Sequence, residues 1–465
     1  MEREVAWKKY PEGEKRQVVM DFAEGYRQFL SDHKTERECV KYFEAEAKKA
    51  GFKDLDDIIK SNTGLKAGDK VYRNNMGKGL AMFVIGRENP ENGIAILGAH
   101  IDSPRMDLKQ NPLYEDTDMA LLDTHYYGGI KKYQWVTLPL ALHGVVAKKD
   151  GTLVTVNIGE DASDPVFGVS DLLIHLSQDQ MKKEGAKVVE GEDLNVLIGS
   201  IPLEAAEDDK DKKDLVKKNI LRILKDKYDF EEEDFLSAEI EVTPAGAARD
   251  YGFDRSMIMG YGHDDRSCAY PSFKAILDVE AGEKTYACLL VDKEEIGSVG
   301  ATGMQSTFYE DTVAEILSLL GHDSNLAVRR AMRNSRALSS DVSAAYDPNY
   351  PSVNEKNNCA YFGRGLVINK YTGARGKSGS NDASAEYVAQ VRKIFDENGV
   401  SWQTSELGKV DQGGGGTIAY ILGNYDMNVI DSGVAVLNMH APWEIISKAD
   451  LYEAYLGYKA FLKED

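Results

Sequence analysis

The sequence predicts an α/β fold in which helices cover both faces of a mixed, largely parallel sheet, with a smaller β-rich domain inserted. Strand-sized apolar runs alternate with amphipathic helical segments towards both ends of the 465-residue chain, which is the pattern of α/β proteins. The middle of the chain has short alternating segments separated by turns, as antiparallel sheets do. The length suits two domains, or one large domain with an insertion.

Helical periodicity is clearest near the start of the chain and in its last third. Residues 18–51 place apolar side chains three and four positions apart, and Gly51 is expected to end this helical segment. The strands KVYRNN, GLAMFVIG and IAILGAH follow. Later, the buried strand TYACLLV precedes helices in FYEDTVAEILSLLG, NLAVRRAMRNSRAL and SNDASAEYVAQVRKIFDENG. Ser380 or Asn381 is expected to cap the last of these helices.

The inserted domain is predicted at residues 109–241, which leaves residues 1–108 and 242–465 for the α/β domain. Within the insertion, KYQWVTLPLALHGVVAKKDGTLVTVNIG predicts antiparallel strands with a turn at KKDG. A charged stretch follows, and its middle has the spacing of an amphipathic helix at Leu215, Ile220, Leu221 and Leu224. The charge runs on either side of this helix are expected to be solvated.

Composition and charge narrow the class of protein. Hydrophobic residues make up 42% of the chain and charged residues 29%, the balance of a soluble globular protein. The net charge of −21 argues against nucleic acid and anionic membranes as partners. No apolar run reaches the length of a membrane span or a signal peptide, so we expect a cytoplasmic protein. The four cysteines form no CxxC pair, which argues against a disulfide framework and a thiolate zinc site.

Two histidines stand directly after apolar strands. His100 ends IAILGAH, and Asp102 follows at a spacing that puts both side chains on the same side of an extended chain. The carboxylate can then accept the second ring N–H and orient the imidazole towards a metal. His440 follows the apolar strand in VAVLNMH. Taken singly, each histidine is better explained as a structural core residue.

Four acidic residues complete the pattern. Asp264, in HDDR, has an adjacent carboxylate, and a nearby divalent cation lowers the cost of ionising both. Glu294 and Glu295 follow the strand TYACLLV, and on an extended chain they point to opposite sides. One is therefore expected to bind metal while the other handles a proton. Asp341 lies in RALSSDVSAA. Singly, such residues are common on solvated surfaces.

As a set, these residues predict a metal centre. Imidazoles and carboxylates without a thiolate suit zinc, cobalt or manganese. Five ligands with one shared carboxylate suffice for two ions, which acidify a water, polarise a carbonyl and hold a substrate. Motifs for other chemistries are incomplete, because GARGKSGS lacks the P-loop spacing, no strand precedes DQGGGGTIAYIL, and a GxSxG elbow is missing.

The order of these motifs resembles the aspartyl aminopeptidase and aminopeptidase I family of dinuclear zinc metallopeptidases. The strongest matches are GAHIDSPRMDL, THYYGGI, DKEEIGSVGATG, SSDVSAA, GGGTIAYIL and VLNMHAPWE, and the resemblance covers nearly all of the chain. It implies a three-layer α/β/α zinc-peptidase domain with an inserted smaller β-rich domain used in assembly and substrate access. It also implies a homo-oligomer, a tetrahedral dodecamer whose active sites face an internal chamber.

By this resemblance, five residues are ligands of two divalent ions, expected to be zinc with cobalt or manganese as alternatives. Asp264 would bridge the two ions. His100 and Asp341 would complete the coordination of one ion, and Glu295 and His440 that of the other.

The resemblance also implies the reaction. Glu294 would be the general base that takes a proton from water and passes it to the leaving amine, and Asp102 would orient His100. The substrates would be peptides with a free N-terminus, from which the N-terminal residue is hydrolysed without a covalent intermediate.

The chain departs from the family pattern in segments that the resemblance assigns to the surroundings of the substrate, whereas the expected metal ligands are kept. The stretches that differ are SDLLIHL, SAAYDPN, INKYTGARGKS and MHAPWE. The altered positions in these stretches are Asp171, Asp347, Asn369 with Lys370 after it, and Trp443, while His175 and Arg375 are kept. These differences leave acidic, neutral and broader preferences for the N-terminal residue open.

Two other functions compete with the aminopeptidase. A metal-dependent deacylase on the same scaffold would act on blocked rather than free amines. A non-enzymatic assembly protein with a decayed site would lack tightly bound metal. The full-length match and the complete ligand set favour the aminopeptidase over both alternatives.

Overall fold

The computed structural model describes residues 4–204 and 213–464, and part of the charged run before the predicted central helix lies outside them. The chain forms two compact units. The first comprises Met1–Ser103, Ala248–Met439 and Glu444–Asp465, and the second comprises Pro104–Ala247 and His440–Trp443. The predicted insertion, residues 109–241, lies within the second unit. Among the described residues, every helix is too short or too polar to cross a bilayer.

A nine-stranded mixed sheet organises the first unit. Its strands are β1 (Lys53–Asp54), β2 (Lys70–Asn75), β3 (Gly79–Val84), β4 (Ile94–His100), β13 (Thr285–Val291), β14 (Arg336–Ser339), β16 (Leu366–Asn369), β17 (Trp402–Thr404) and β18 (Asn428–Gly433). The spatial order is β1-β2-β3-β13-β4-β14-β18-β16-β17. The central strands β13, β4, β14 and β18 run parallel to one another, so their carboxyl ends meet at one edge of the sheet.

Helices pack on both faces of this sheet. Because successive strand residues point to opposite faces, Leu97 and Ala99 of β4 join one apolar core, while Ile94 and Ile96 join a second. The helices that contribute to the first core are α1 (Glu14–Asp32), α2 (Glu36–Lys49), α5 (His263–Leu277), α8 (Ala385–Glu397) and α10 (Lys448–Lys463). Those of the second are α3 (Leu55–Ser61), α6 (Phe308–Leu319), α7 (Asn325–Asn334) and α9 (Ala419–Gly423). The predicted α/β/α layering is confirmed.

The first unit also contains a five-stranded sheet. Its strands are β11 (Arg249–Tyr251), β12 (Met257–Gly260), β15 (Ser343–Ala344), β19 (Ala435–Leu437) and β20 (Glu444–Ser447). They lie in the order β11-β12-β20-β19-β15. Strand β12 pairs antiparallel with β11 and leads directly into α5. The position of this sheet therefore determines where α5 begins.

The second unit is built on a six-stranded sheet in which every neighbouring pair is antiparallel. Its strands are β5 (Arg105–Asp116), β6 (Met119–Tyr127), β7 (Leu140–Ala147), β8 (Leu153–Ile158), β9 (Val196–Gly199) and β10 (Ala238–Pro244). The turn expected at KKDG joins β7 to β8. The helix expected from the spacing of its leucines and isoleucine is α4 (Leu215–Tyr228).

Two local expectations differ from the structure. The cap of α8 is Ser384, whose Oγ accepts the backbone N–H of Tyr387 at 3.2 Å; the predicted caps Ser380 and Asn381 are wrong. The helical segment at residues 18–51 is two helices, because Thr35 begins α2. Thr35 Oγ1 accepts from the Glu38 backbone at 3.2 Å, and Glu38 Oε2 accepts from the Thr35 backbone at 3.1 Å. This reciprocal pair satisfies two backbone donors at the helix start.

Candidate metal centre

The candidate residues of the first unit gather where its central strands end. His100 is the last residue of β4, and it lies opposite Val291, the last residue of β13. The end of β14, Ser339, lies opposite Gly98 of β4. Residues that follow these three strands therefore start from the same edge of the sheet, as is typical of sites in α/β folds.

The His100 ring is oriented by the residue two positions further along. Its Nδ1 lies 3.0 Å from the backbone oxygen of Asp102 and 3.3 Å from Oδ1 of the same residue. Nδ1–H donates to these acceptors, and Nε2, which lies 3.1 Å from Asp264 Oδ1, is the nitrogen that would bind a metal after losing its proton. Burial lowers the pKa of His100, but the hydrogen bonds to Asp102 and Asp264 outweigh burial and raise the pKa well above its usual value.

Asp264 reaches this point from the start of α5. Gly262 has φ +81°, and a Cβ at this position would lie 2.4 Å from Arg266 Nη1, so the turn into the helix requires glycine. Asp264 and Asp265 have non-helical backbone angles, and the peptide bond between them is cis. Ser103 Oγ donates to the Asp264 carbonyl at 2.7 Å. The side chain of Glu444 accepts the Asp264 N–H at 3.0 Å, so both backbone groups of Asp264 are held.

The two consecutive glutamates adopt a conformation that the sequence pattern did not predict. Lys293 is left-handed with φ 69°, and Glu294–Ile296 form a 3-10 turn, so the expectation of an extended chain is wrong. The carboxylate of Asp102 accepts both backbone N–H groups of the turn, from Glu294 and from Glu295, each at 3.2 Å. The turn therefore presents both glutamates to the same cluster instead of to opposite sides.

Three overlapping groups of ligand atoms result, each within 4.8 Å. The groups are His100, Asp264 and Glu295; His100, Glu294 and Asp341; and Asp264, Asp265 and Asp341. Desolvation, together with the charges of Asp265 and Glu294, raises the pKa of Asp341 well above its usual value. Such crowding of carboxylates is relieved when a cation binds among them.

The donor set fits zinc. Two ligands about 2.0–2.1 Å from one tetrahedral zinc ion lie roughly 3.3 Å apart, close to the 3.1 Å between His100 Nε2 and Asp264 Oδ1. The ligand atoms are imidazole nitrogen and carboxylate oxygens, which zinc accepts. The residues of these groups are themselves buried or half-buried, so an ion bound among them would be largely shielded from solvent.

His440, the remaining predicted ligand, belongs to the second unit and is not a member of the three groups found among the described residues. Its Nδ1 lies 2.8 Å from the Gly129 carbonyl oxygen. When Nδ1–H donates to that carbonyl, Nε2 carries the lone pair, as in a histidine that ligates metal. The backbone of His440 is left-handed, with φ 64°, and non-glycine residues in this conformation cluster at functional sites.

Sequence reasoning assigned no role to several residues that position the cluster. Glu444 and Ser103 lie in the motifs MHAPWE and GAHIDSPRMDL, but the motifs did not predict their contacts with the Asp264 backbone. Asp431, buried on β18, accepts from Thr417 Oγ1, and burial raises its pKa to about 7. Asp431 lies opposite Ser339, the last residue of β14. A search for polar residues where neighbouring strands end together could therefore have indicated Asp431.

His263 stands beside Asp264 in the HDDR motif, but its ring serves the fold. Its Nδ1 lies 2.8 Å from Tyr26 Oη and its Nε2 lies 3.1 Å from the Ile258 carbonyl oxygen. Nε2–H donates to that carbonyl, and Nδ1 accepts from the tyrosine. Burial lowers the pKa of His263 to about 3, so the ring stays neutral.

An α/β/α domain that brings a histidine and several carboxylates together at the carboxyl ends of its strands belongs to the class of metallohydrolases. Comparison with known proteins specifies the family. The family model described as aminopeptidase I zinc metalloprotease (M18) matches residues 29–462. The chain therefore belongs to the M18 family of zinc metallopeptidases, and it is an aminopeptidase.

Similar proteins agree over the whole length. A probable M18 family aminopeptidase 1 of Clostridium acetobutylicum is 63% identical over 98% of this chain and 97% of its own. The crystal structure of an M18 aminopeptidase from Thermotoga maritima superposes with a TM-score of 0.94 at 43% identity, covering 100% of both chains. The mApe1 dodecamer of S. cerevisiae has a TM-score of 0.76 at 20% identity, covering 96% of this chain and 97% of that one; this likeness shows the fold alone.

These findings confirm the predicted family, the fold class and the hydrolase activity on N-terminal peptide bonds. They give no support to the deacylase or to the non-enzymatic assembly protein.

Proposed function

We propose that the aminopeptidase works with two zinc ions that share the carboxylate of Asp264. The proposed ligands are His100, Asp264 and Asp341 for one ion and Asp264, Glu295 and His440 for the other. The observation that carries the proposal is the overlap of the ligand groups, because Asp264 belongs to two of them, one with Glu295 and one with Asp341. A carboxylate has two oxygens and can serve two cations at once.

When bound, two zinc ions supply an acidified water and polarise the scissile carbonyl. Glu294 is the proposed proton carrier. Its Oε2 lies 3.9 Å from His100 Nε2, so the carboxylate is at the cluster of proposed ligands, where it can accept a proton from the attacking water. Glu294 then gives the proton to the leaving amine, and no covalent intermediate forms.

Asp102 is proposed to position both the general base and two of the metal ligands. One carboxylate accepts the N–H of Glu294 and that of Glu295, while the same residue orients the His100 ring. We infer that Asp102 acts through these neighbours and does not touch the substrate.

The experiment that tests the proposal compares two peptides that differ only at the N-terminus. The zinc-loaded enzyme is expected to release the first residue of the free peptide and to leave the N-acetylated peptide intact. Chelation is expected to stop release, and zinc, cobalt or manganese to restore it. Turnover of the acetylated peptide alone would favour a deacylase and contradict the proposal.

A neutral or broad preference for the N-terminal residue is part of the proposal. Lys370, which follows the position where the family has a lysine, binds the carboxylate of Asp382, and Lys377 also contacts Asp382 at 3.2 Å. Because both ammonium groups already have an acidic partner, they attract an acidic substrate side chain less strongly. Release rates over a panel of N-terminal residues test this, and a strong preference for aspartate and glutamate would contradict it.

We further propose that the enzyme is a cytoplasmic homo-oligomer, assembled as a dodecamer. The S. cerevisiae protein with the same fold is a dodecamer, and the second unit exposes the apolar side chains of Leu172, Leu173, Ile174 and Leu176, with Ile174 70% exposed. Such patches mark interaction surfaces. The four cysteines are buried and free, as in proteins of a reducing compartment. The mass of the assembly in solution tests the oligomeric state, and a monomer would contradict it.

A further inference from the structure

The second unit contains an apolar cavity of about 190 Å³. It lies between the six-stranded sheet and α4, and its walls include Leu142 and Val156 from the sheet and Ile220 and Leu224 from the helix. Protein interiors seldom contain voids larger than a water molecule. An opening of this size beneath an amphipathic helix is therefore a built space rather than a packing defect.

The chemistry of the walls selects an apolar occupant. Of the described residues that line the cavity, only Lys227 and Tyr228 have side-chain nitrogen or oxygen atoms. A buried water needs two to four polar partners, and an apolar cavity of about 150 Å³ binds benzene instead of water. The cavity is larger than that example, so a flexible hydrocarbon chain fits better than ordered water.

The position of Lys227 indicates the charge of the ligand's head. Lys227 is near the end of α4, lines the cavity, and has a half-exposed side chain. Its Nζ is 3.8 Å from Asp164 Oδ1, beyond hydrogen-bond distance. A ligand carboxylate can therefore make a closer contact with this ammonium than Asp164 does.

We propose that this cavity binds a medium-chain aliphatic carboxylate, with its hydrocarbon tail between α4 and the sheet and its carboxylate at Lys227. The lining belongs entirely to the second unit. Of the proposed metal ligands, only His440 belongs to that unit. The binding site is thus independent of the residues that carry the peptidase reaction.

Calorimetric titration of the zinc-loaded, full-length enzyme with octanoate tests the proposal. Octanoate is expected to bind once per chain, and octylamine, which carries the opposite charge on the same tail, about tenfold more weakly. Acetate, which has the head without the tail, is expected to give no saturable binding. Absence of octanoate binding, or equal binding of octanoate and octylamine, would overturn the proposal.

Variants separate this cavity from the metal ions, to which any carboxylate could also bind. Val156→Phe fills the cavity and is expected to weaken octanoate binding about tenfold or more. Ile223→Trp, at a lining residue that is 43% exposed, blocks the same space should the first variant fail to fold.

Two matched lysine variants test whether the ligand's carboxylate binds Lys227. Lys227→Met is expected to weaken octanoate binding, whereas Lys225→Met, on the same helix but paired with Asp229 and Glu231, is expected to leave it unchanged. Octanoate binding that survives the cavity-filling variants would place the ligand at the metal centre and contradict the proposal.

Discussion

The Nε2 atom of His100 lies 3.1 Å from Oδ1 of Asp264, a residue 164 positions further along the chain. Both side chains are buried. His100 ends the central strand of the sheet, and Asp264 is held at the start of α5 by Ser103 and Glu444. The fold therefore holds an imidazole nitrogen and a carboxylate oxygen at nearly the spacing of two ligands on one zinc ion.

Replacing Glu294, the proposed general base, tests whether the reaction can be lost while the metal ions stay bound. Glu294→Gln keeps the shape of the side chain but cannot take a proton from water. We expect kcat to fall by about 10²–10⁴-fold, the contribution of general acid–base catalysis, while the zinc content measured by plasma mass spectrometry stays the same. Glu386→Gln, at an exposed position on α8, is the control and should keep normal activity. Normal activity of Glu294→Gln would show that the base is a different group.

Asp102 is proposed to support the ligands without contacting substrate, so its loss should appear first in metal affinity. In Asp102→Asn, one oxygen becomes an NH₂ group that cannot accept the N–H of Glu294 or Glu295. We expect zinc affinity to fall by about 10–100-fold, as for other partners of metal ligands. Competition with a chelator measures this affinity. An unchanged affinity with a reduced kcat would instead mean that Asp102 acts directly in the reaction.

His440 is the ligand proposed from the second unit. We expect His440→Ala to retain one zinc ion and to lose the other, because the ligands of the first ion are intact. The value of kcat/KM should fall by at least about 100-fold, since a lost ligand costs more than a lost supporting group. His125→Ala, at an exposed histidine of the same unit, should keep both ions. Two tightly bound ions in His440→Ala would remove this residue from the ligand set.

A buried carboxyl outside the proposed ligand set is expected to make stability depend on pH. Asp450 is fully buried on α10, and burial raises its pKa to about 7, although it accepts the backbone N–H groups of Gly365 and Gly363. An unfolded aspartate has a pKa of about 3.9. Between these values the folded protein holds a proton that the unfolded chain loses, so this group's stabilising contribution is complete below about pH 4 and is lost as the pH rises through 7.

Asp450→Asn should therefore flatten the pH dependence. The difference in the slope of the unfolding free energy approaches about 1.4 kcal/mol per pH unit between the two pKa values. Thermal midpoints of the zinc-loaded enzyme and the variant at several pH values from 5 to 8 measure it. Metal release at low pH affects both proteins and cancels in the comparison. Parallel curves would show that Asp450 is ionised throughout this range.

Much of the fold and part of the site could be predicted from the sequence. The layers follow from local patterns, since buried strands and amphipathic helices have different periods. His100 could be identified as a candidate because it ends an apolar strand, and such ends meet at one edge of a parallel sheet. Asp341 follows β14, but the first residues of β14 were predicted to be the end of a helix, which in the structure stops at Asn334. The positions of these residues are determined by the pairing of neighbouring strands.

The remaining features depend on contacts that no local pattern encodes. Asp264 begins α5 in a non-helical conformation, and nothing in its own segment indicates that His100 lies beside it. The turn at Lys293 rotates Glu294 and Glu295 into one cluster, which alternation along an extended chain could not predict. The support from Glu444 connects α5 to β20, a strand near the other end of the chain.

The carboxylate of Asp264 is proposed to hold two ions at once, and the number of zinc ions bound per chain shows whether it does. Zinc per chain is measured by plasma mass spectrometry after dialysis, in the native enzyme, in Asp341→Asn and in Asp264→Asn. We expect two ions in the native enzyme, one in Asp341→Asn, and the loss of both in Asp264→Asn. A single ion in the native enzyme, or two ions retained in Asp264→Asn, would contradict it.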